Sequence, residues 1–127
     1  MIGKRIFSGH PNEEKAGYAR AAVADGWVFV SGTTGFDAET KQYPADVTAQ
    51  CENCFRNIER ALKEAGASLA DLVRVQIFLA NEGDFEKVVP IIRKHCYPAR
   101  PANTTVFAKL VAAHMLVEIE AVAKIPR

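Results

Sequence analysis

The clearest hydrophobic pattern in the chain lies near its end, over residues 115–123. Met115, Val117, Ile119, Ala121 and Ala123 alternate with Leu116, Glu118, Glu120 and Val122, and His114 continues the second set. Strict alternation predicts a strand, because successive side chains point to opposite faces. One face is wholly apolar and belongs on a core. The other is half apolar and half acidic, as a cleft or a subunit boundary requires.

The rest of the chain divides in the same way. Residues 4–7 predict a short strand, and the polar stretch 11–16 reads as loop. Residues 20–23 and 27–31 predict two strands joined at Asp25-Gly26, a pair that favours a tight hairpin because glycine adopts positive φ without steric cost. Residues 33–45 read as loop. Residues 46–65 predict the main helix: Asp46 stands at its start and Gly66 just past its end, and Val47, Cys51, Cys54, Phe55, Ile58, Ala61, Leu62 and Ala65 form one stripe. Glu52–Arg56, Glu59–Lys63 and Arg60–Glu64 have the spacing of i,i+4 ion pairs. A strand follows over 72–80. A second helix runs from Asp84 to about Cys96, with Pro90 expected to kink or split it. A further strand is expected over 103–110, with Asn103, Thr105 and Phe107 sharing one face.

These elements predict one α+β domain, residues 1–127, with about six strands and two helices on one face of the sheet. The uncovered face would collect Trp27, Phe29, Ser31, Arg74, Gln76, Phe78, Asn103, Thr105, Phe107, Leu116, Glu118 and Glu120. Four aromatics there make a patch that a monomer would leave wet. Self-association in a closed ring, sheet facing sheet, covers it and brings Glu118 and Glu120 near a subunit boundary.

Composition narrows the function. Apolar residues make up 49% and charged residues 24%, as in a globular protein. A formal net charge of +1 gives no basic surface for nucleic acid. No apolar run approaches membrane-spanning length, and residues 1–5 lead into no signal-peptide core. The three cysteines are odd in number and lack a framework spacing, so they read as reduced thiols in a cytoplasmic protein. Cys51 and Cys54 form a C-x-x-C but lie on the apolar stripe, with no second ligand pair for zinc; they read as core thiols. Cys96, His95, His10 and His114 read as structural. No phosphate loop, metal site or cofactor fingerprint is present in the sequence.

An ordered set of fragments then carries a resemblance. Gly17-Tyr18-Ala19-Arg20, Val28-Phe29-Val30-Ser31-Gly32, Asn57-Ile58, Ala65-Gly66-Ala67-Ser68, Arg100-Pro101-Ala102 and the segment from Val117 to Ala123 resemble the Rid/YjgF family, whose best-known members are enamine/imine deaminases. The resemblance implies a chorismate-mutase-like fold, a homotrimer with inward-facing sheets, and ligand clefts between subunits. It implies a glutamate on the last strand that serves the attacking water, falling on Glu120. A pocket tyrosine falls on Tyr18 and a Ser-Gly pair on Ser31-Gly32. The family's carboxylate-binding arginine falls on Asn103 in an ungapped alignment, three residues beyond Arg100, and a family asparagine is replaced by Val89. This is the pattern of an arginine-lacking branch. Arg20 and Arg100 are the candidate replacement cations, and Asn103 and Thr105 candidate polar readers of a neutral ligand.

Imine hydrolysis needs a positioned water and a proton acceptor. Glu120 has that chemistry if burial raises its pKa, and Glu118 adds like-charge pressure. In the bland alternative, both acids pair with Arg74 or Lys109 across the sheet. Three functional readings follow: a metal-free, cofactor-free hydrolase of the deaminase type, a trimer that binds a small metabolite without turnover, and an endoribonuclease, which the neutral charge disfavours.

Overall fold

The first half of the sheet is set by the Asp25-Gly26 turn. Both residues have positive φ, 52° and 78°, as a two-residue hairpin turn with the right twist demands. The turn joins β2 (Ala21–Ala24) to β3 (Trp27–Thr34), and β1 (Lys4–Ile6) adds to the outer edge of β2. The computed structural model describes all residues, 1–127.

Pro11–Ala16, expected as loop, is a short helix, α1. It has no apolar stripe, so periodicity could not reveal it. Its ends define it instead: His10 Nδ1 accepts the Asn12 N–H at 3.2 Å, Pro11 occupies the first turn, and Gly17 closes the helix at φ 74°. The long helix α2 (Val47–Ala65) has the predicted bounds. The Asp46 side chain accepts from Thr48 N, and Gly66, at φ 88°, donates to Leu62 O and Lys63 O. α3 (Phe85–Cys96) runs through Pro90 unsplit. Pro90 stands sixth in the helix, so only the bond to the Glu86 carbonyl is lost.

β4 (Leu72–Leu79), β5 (Ala102–Phe107) and β6 (Val117–Lys124) complete a six-stranded sheet in the order β1-β2-β3-β6-β4-β5. β4 and β5 pair in parallel and all other neighbours are antiparallel, so the sheet is mixed. α2 packs across β3 and β6, with α3 beside it. Between them lies the core, where Phe55, Ile58, Leu62, Ile77, Leu79, Ile119 and Val28 are fully buried. Cys51, Cys54 and Cys96 are buried free thiols in this core. Burial pushes the Cys51 thiol up to about 12 and Cys96 up to about 11, so neither is a nucleophile at neutral pH.

The expected i,i+4 pairs on α2 do not form. Arg56 and Arg60 instead donate to Asn53 and Asn57, one turn back, at 3.1 and 2.8 Å. Glu52 reaches α3, accepting from Lys94 Nζ at 2.8 Å and lying 2.8 Å from His95 Nε2. Burial opposes its charge, but these two partners outweigh burial and hold its carboxyl below the usual range. For Glu52, tertiary partners won over Arg56 because α3 lies within reach.

One face of the sheet has no helix on it. It carries Trp27 and Phe29 of β3, Arg74, Gln76 and Phe78 of β4, and Glu118, Glu120 and Val122 of β6. Asn103, Thr105 and Phe107 are not part of it. The parallel register pairs them with Val75, Ile77 and Leu79, which point at the helices, and puts Ala102, Thr104 and Val106 on the open side. Arg74 accordingly donates to Thr104 Oγ1 at 3.2 Å. Both parities of β5 mix polar and apolar residues, so alternation alone did not settle its orientation.

Candidate active site

The site begins at an irregularity in β3. Val30 pairs with Ala121 and Thr33 with Ile119, so Ser31 and Gly32 together oppose the single residue Glu120. This is a β-bulge, a device that bends a strand and re-aims its side chains. Ser31 is pinned there: its Oγ donates to Ala19 O at 2.7 Å, and its carbonyl accepts from Thr33 Oγ1 at 2.8 Å.

Gly32 shows why the bulge matters. A side chain at this position would meet Oε2 of Glu118 and displace that carboxylate from its place. The glycine therefore leaves a seat for that carboxylate against the strand. Across the sheet Glu118 faces Thr34 on one side and Phe78 on the other. Burial pushes its carboxyl above the ordinary range. Arg20 pulls the other way, and Glu120 adds to the rise. Arg20 is itself held at the bulge, donating from Nη2 to Gly32 O at 2.9 Å, with its guanidinium 5.8 Å from the Tyr18 ring centroid. The Arg20 Nε–H is buried without a partner.

Glu118, Gly32, Ser31, Arg20 and Tyr18 line one cleft of about 610 Å³. Glu120 does not line it. It is exposed, opposite Gln76, and neither glutamate forms an ion pair within the chain. Asn103 and Thr105 lie outside the cleft on the other face, where Thr105 Oγ1 donates to Asn103 Oδ1 at 2.8 Å. Arg100 sits before β5 at φ 54°, its guanidinium 4.9 Å from the ring centroid of Tyr97. Within one chain it shares no cavity with Arg20.

Three amides on α2 fix the walls. Gln50 donates to Pro44 O and His114 O at 2.7 and 2.9 Å and accepts from Leu116 N at 3.0 Å. Asn53 donates to Gly35 O at 3.1 Å, and Asn57 to Thr34 O and Phe36 O at 3.2 and 2.9 Å. Gly35 passes so close to Gln50 that a side chain there would strike the helix. Gln50 and Asn53 were missed as positioning residues by the sequence reading. The signal was present as polar amides three and seven residues apart, bordering an apolar stripe.

Residues 10–125 match the family model described as Endoribonuclease L-PSP. The chain belongs to this family, the Rid/YjgF proteins. A crystal structure of a YjgF/YER057c/UK114 family member from Mycobacterium tuberculosis superimposes with a TM-score of 0.87 at 35% identity, covering 95% of this chain and 98% of that one. A RutC family protein of Pyrococcus abyssi is 32% identical over 124 residues, 97% of this chain and 98% of its own length. A Dermatophagoides farinae protein named 2-iminobutanoate/2-iminopropanoate deaminase is 27% identical over 127 residues, 98% of this chain and 99% of its own length. The Rid/YjgF family thus includes imine deaminases. Other relatives are named as mitochondrial or chloroplastic, so the compartment differs among Rid/YjgF proteins. No helix of this chain is long and apolar enough to cross a membrane.

Proposed function

We propose that the protein hydrolyses a small imine to a carbonyl compound and ammonia, with Glu118 as the group that serves the water. The observation that carries this reading is the seat at Gly32, where the Glu118 carboxylate and Arg20 line one cleft. The Glu118 carboxylate accepts a proton from water as the water oxygen bonds to the imine carbon. The C=N electron pair moves to nitrogen, which takes that proton from Glu118. Glu118 then removes the hydroxyl proton of the tetrahedral adduct and passes it to the nitrogen as the C–N bond breaks, so the oxygen lone pair closes the C=O bond and ammonia leaves. A raised pKa suits a group that must both take and give a proton near neutral pH. Arg20, which lines the cleft, holds an anionic substituent of the substrate.

The cleft lies at the border of the open sheet face, where Phe29 remains 50% and Trp27 38% exposed. We propose a homotrimer that buries this face and closes the cleft with a second copy. Arg100 would enter a site only across such a boundary. The buried reduced thiols support a cytoplasmic setting.

The test generates 2-iminobutanoate in situ from 2-aminobutyrate with an amino-acid oxidase, with semicarbazide competing for the imine. The protein is expected to suppress semicarbazone formation in proportion to its concentration. Unchanged trapping contradicts the hydrolase reading, and retained 2-oxobutanoate binding in that case would leave a metabolite-binding protein.

A further inference from the structure

The Glu118 cleft is far larger than a three- or four-carbon imino acid needs. Its volume of about 610 Å³ falls in the range of sites that enclose drug-sized ligands, roughly 300–1,000 Å³. One wall is aromatic and is tied to β3, the strand that pairs with the Glu118 strand. Tyr43 Oη lies 2.9 Å from Thr34 Oγ1, and Thr34 is the cross-strand neighbour of Glu118. The Phe36 ring packs edge-on against Tyr43, with centroids 5.6 Å apart. His10 and His114 buttress the two ends, at 5.3 Å from Phe36 and 4.4 Å from Tyr43. Asn57 holds the backbone on both sides of this wall, at Thr34 O and Phe36 O. Phe36, Tyr43 and Met115 all face the cleft.

The wall and the cation are fixed to the same strand two residues apart. Arg20 is tied to Gly32 and Tyr43 to Thr34, about 7 Å along an extended chain. At ordinary bond lengths, a carboxylate carbon and the end of an ethyl side chain are only about 4 Å apart. A ligand whose carboxylate meets Arg20 lays more of its side chain on the rings the further that side chain extends past the γ-carbon.

From this geometry we infer that the preferred substrate is an α-imino acid with a bulky apolar or aromatic side chain, bound with its carboxylate on Arg20 and its side chain along the Phe36–Tyr43 wall. This rests on the hydrolase reading and adds the class of substrate to it. Ring-on-ring packing and the displaced water supply the discrimination. Small imino acids enter the same cleft but leave the wall hydrated.

The test compares imines generated in situ from 2-aminobutyrate, leucine and phenylalanine, each competing with semicarbazide. The protein should show kcat/KM about tenfold or more higher for the phenylalanine-derived imine than for the 2-aminobutyrate-derived one, within the range that pocket contacts can discriminate. Phe36→Ala should reduce that ratio to about threefold or less. If that variant does not fold, binding to the unmodified protein decides: phenylpyruvate should bind at least about tenfold tighter than 2-oxobutanoate. Equal or reversed preference, in rate or in binding, overturns the inference while leaving imine hydrolysis standing. Inactivity towards all three imines, with neither keto acid bound, overturns the hydrolase reading and this inference together.

Discussion

Glu118→Gln is expected to reduce imine hydrolysis by about 10²–10⁴-fold, the range for loss of a general base, without weakening the fold. The two effects have one cause. The carboxylate sits on Gly32, flanked by Phe78 and Thr34, and burial lifts its pKa. A carboxyl whose folded pKa exceeds its unfolded value binds more protons in the folded state between those two values. Stability therefore falls as pH rises through that window and stays lower above it. The charge needed for proton transfer is thus held at some expense of stability, which Arg20 offsets in part. The amide removes the charge and with it this decline. In urea unfolding, Glu118→Gln should be at least as stable as the parent at pH 7 and should lack the parent's loss of stability above about pH 4.5, the ordinary glutamate value. Glu120→Gln, on a side chain that does not line the cleft, should retain turnover within about threefold, because it removes no contact with the reacting atoms. A loss of activity in Glu120→Gln with Glu118→Gln active would reverse the assignment.

Phe29→Asp is expected to dissociate the assembly. Phe29 projects from β3 on the helix-free face, between Ala22 and Val122 on the neighbouring strands, and remains half exposed in the single chain. In a trimer that face is buried, and an unpaired carboxylate there is costly to desolvate. In the monomer the same side chain is hydrated and touches none of the helix-side core. Sedimentation velocity at micromolar concentration should show a trimer for the parent and a monomer for the variant, with an unchanged far-ultraviolet circular dichroism spectrum. Turnover should fall by at least about tenfold, since an open cleft holds its substrate in water. A parent protein that sediments as a monomer would remove the reason for this patch and the boundary role of the cleft.

The sequence was most informative where a single physical signal defined an element. Asp46, Gly66 and the intervening stripe specified α2 almost to the residue, and Asp25-Gly26 specified the hairpin. Family resemblance supplied the correct fold and drew attention to Tyr18 and Ser31-Gly32, both of which line the cleft. It put the water-serving role on Glu120 rather than Glu118. They are two residues apart on one face, and alternation treats them alike. The proposed assignment of Glu118 rests on the bulge at Ser31-Gly32, a tertiary irregularity whose only trace in the sequence is a glycine inside a strand. The orientation of β5 was hidden for a related reason. Its register is set by parallel pairing with β4, whereas its own residues on both faces are mixed, so Asn103 and Thr105 were placed on the side that Thr104 and Val106 occupy. The aromatic wall was scattered over residues 10–114 and came together only through α2, whose Asn57 fastens it.

A crystal structure with 2-oxobutanoate, the hydrolysis product of 2-iminobutanoate, probes the site most directly. The keto carbon should lie against the Glu118 carboxylate above Gly32, with the ligand carboxylate on Arg20 and a neighbouring copy closing the cleft. Density for the ligand beside Glu120 and Gln76, or on the Asn103 side of β5, with Glu118 making no contact, would contradict it.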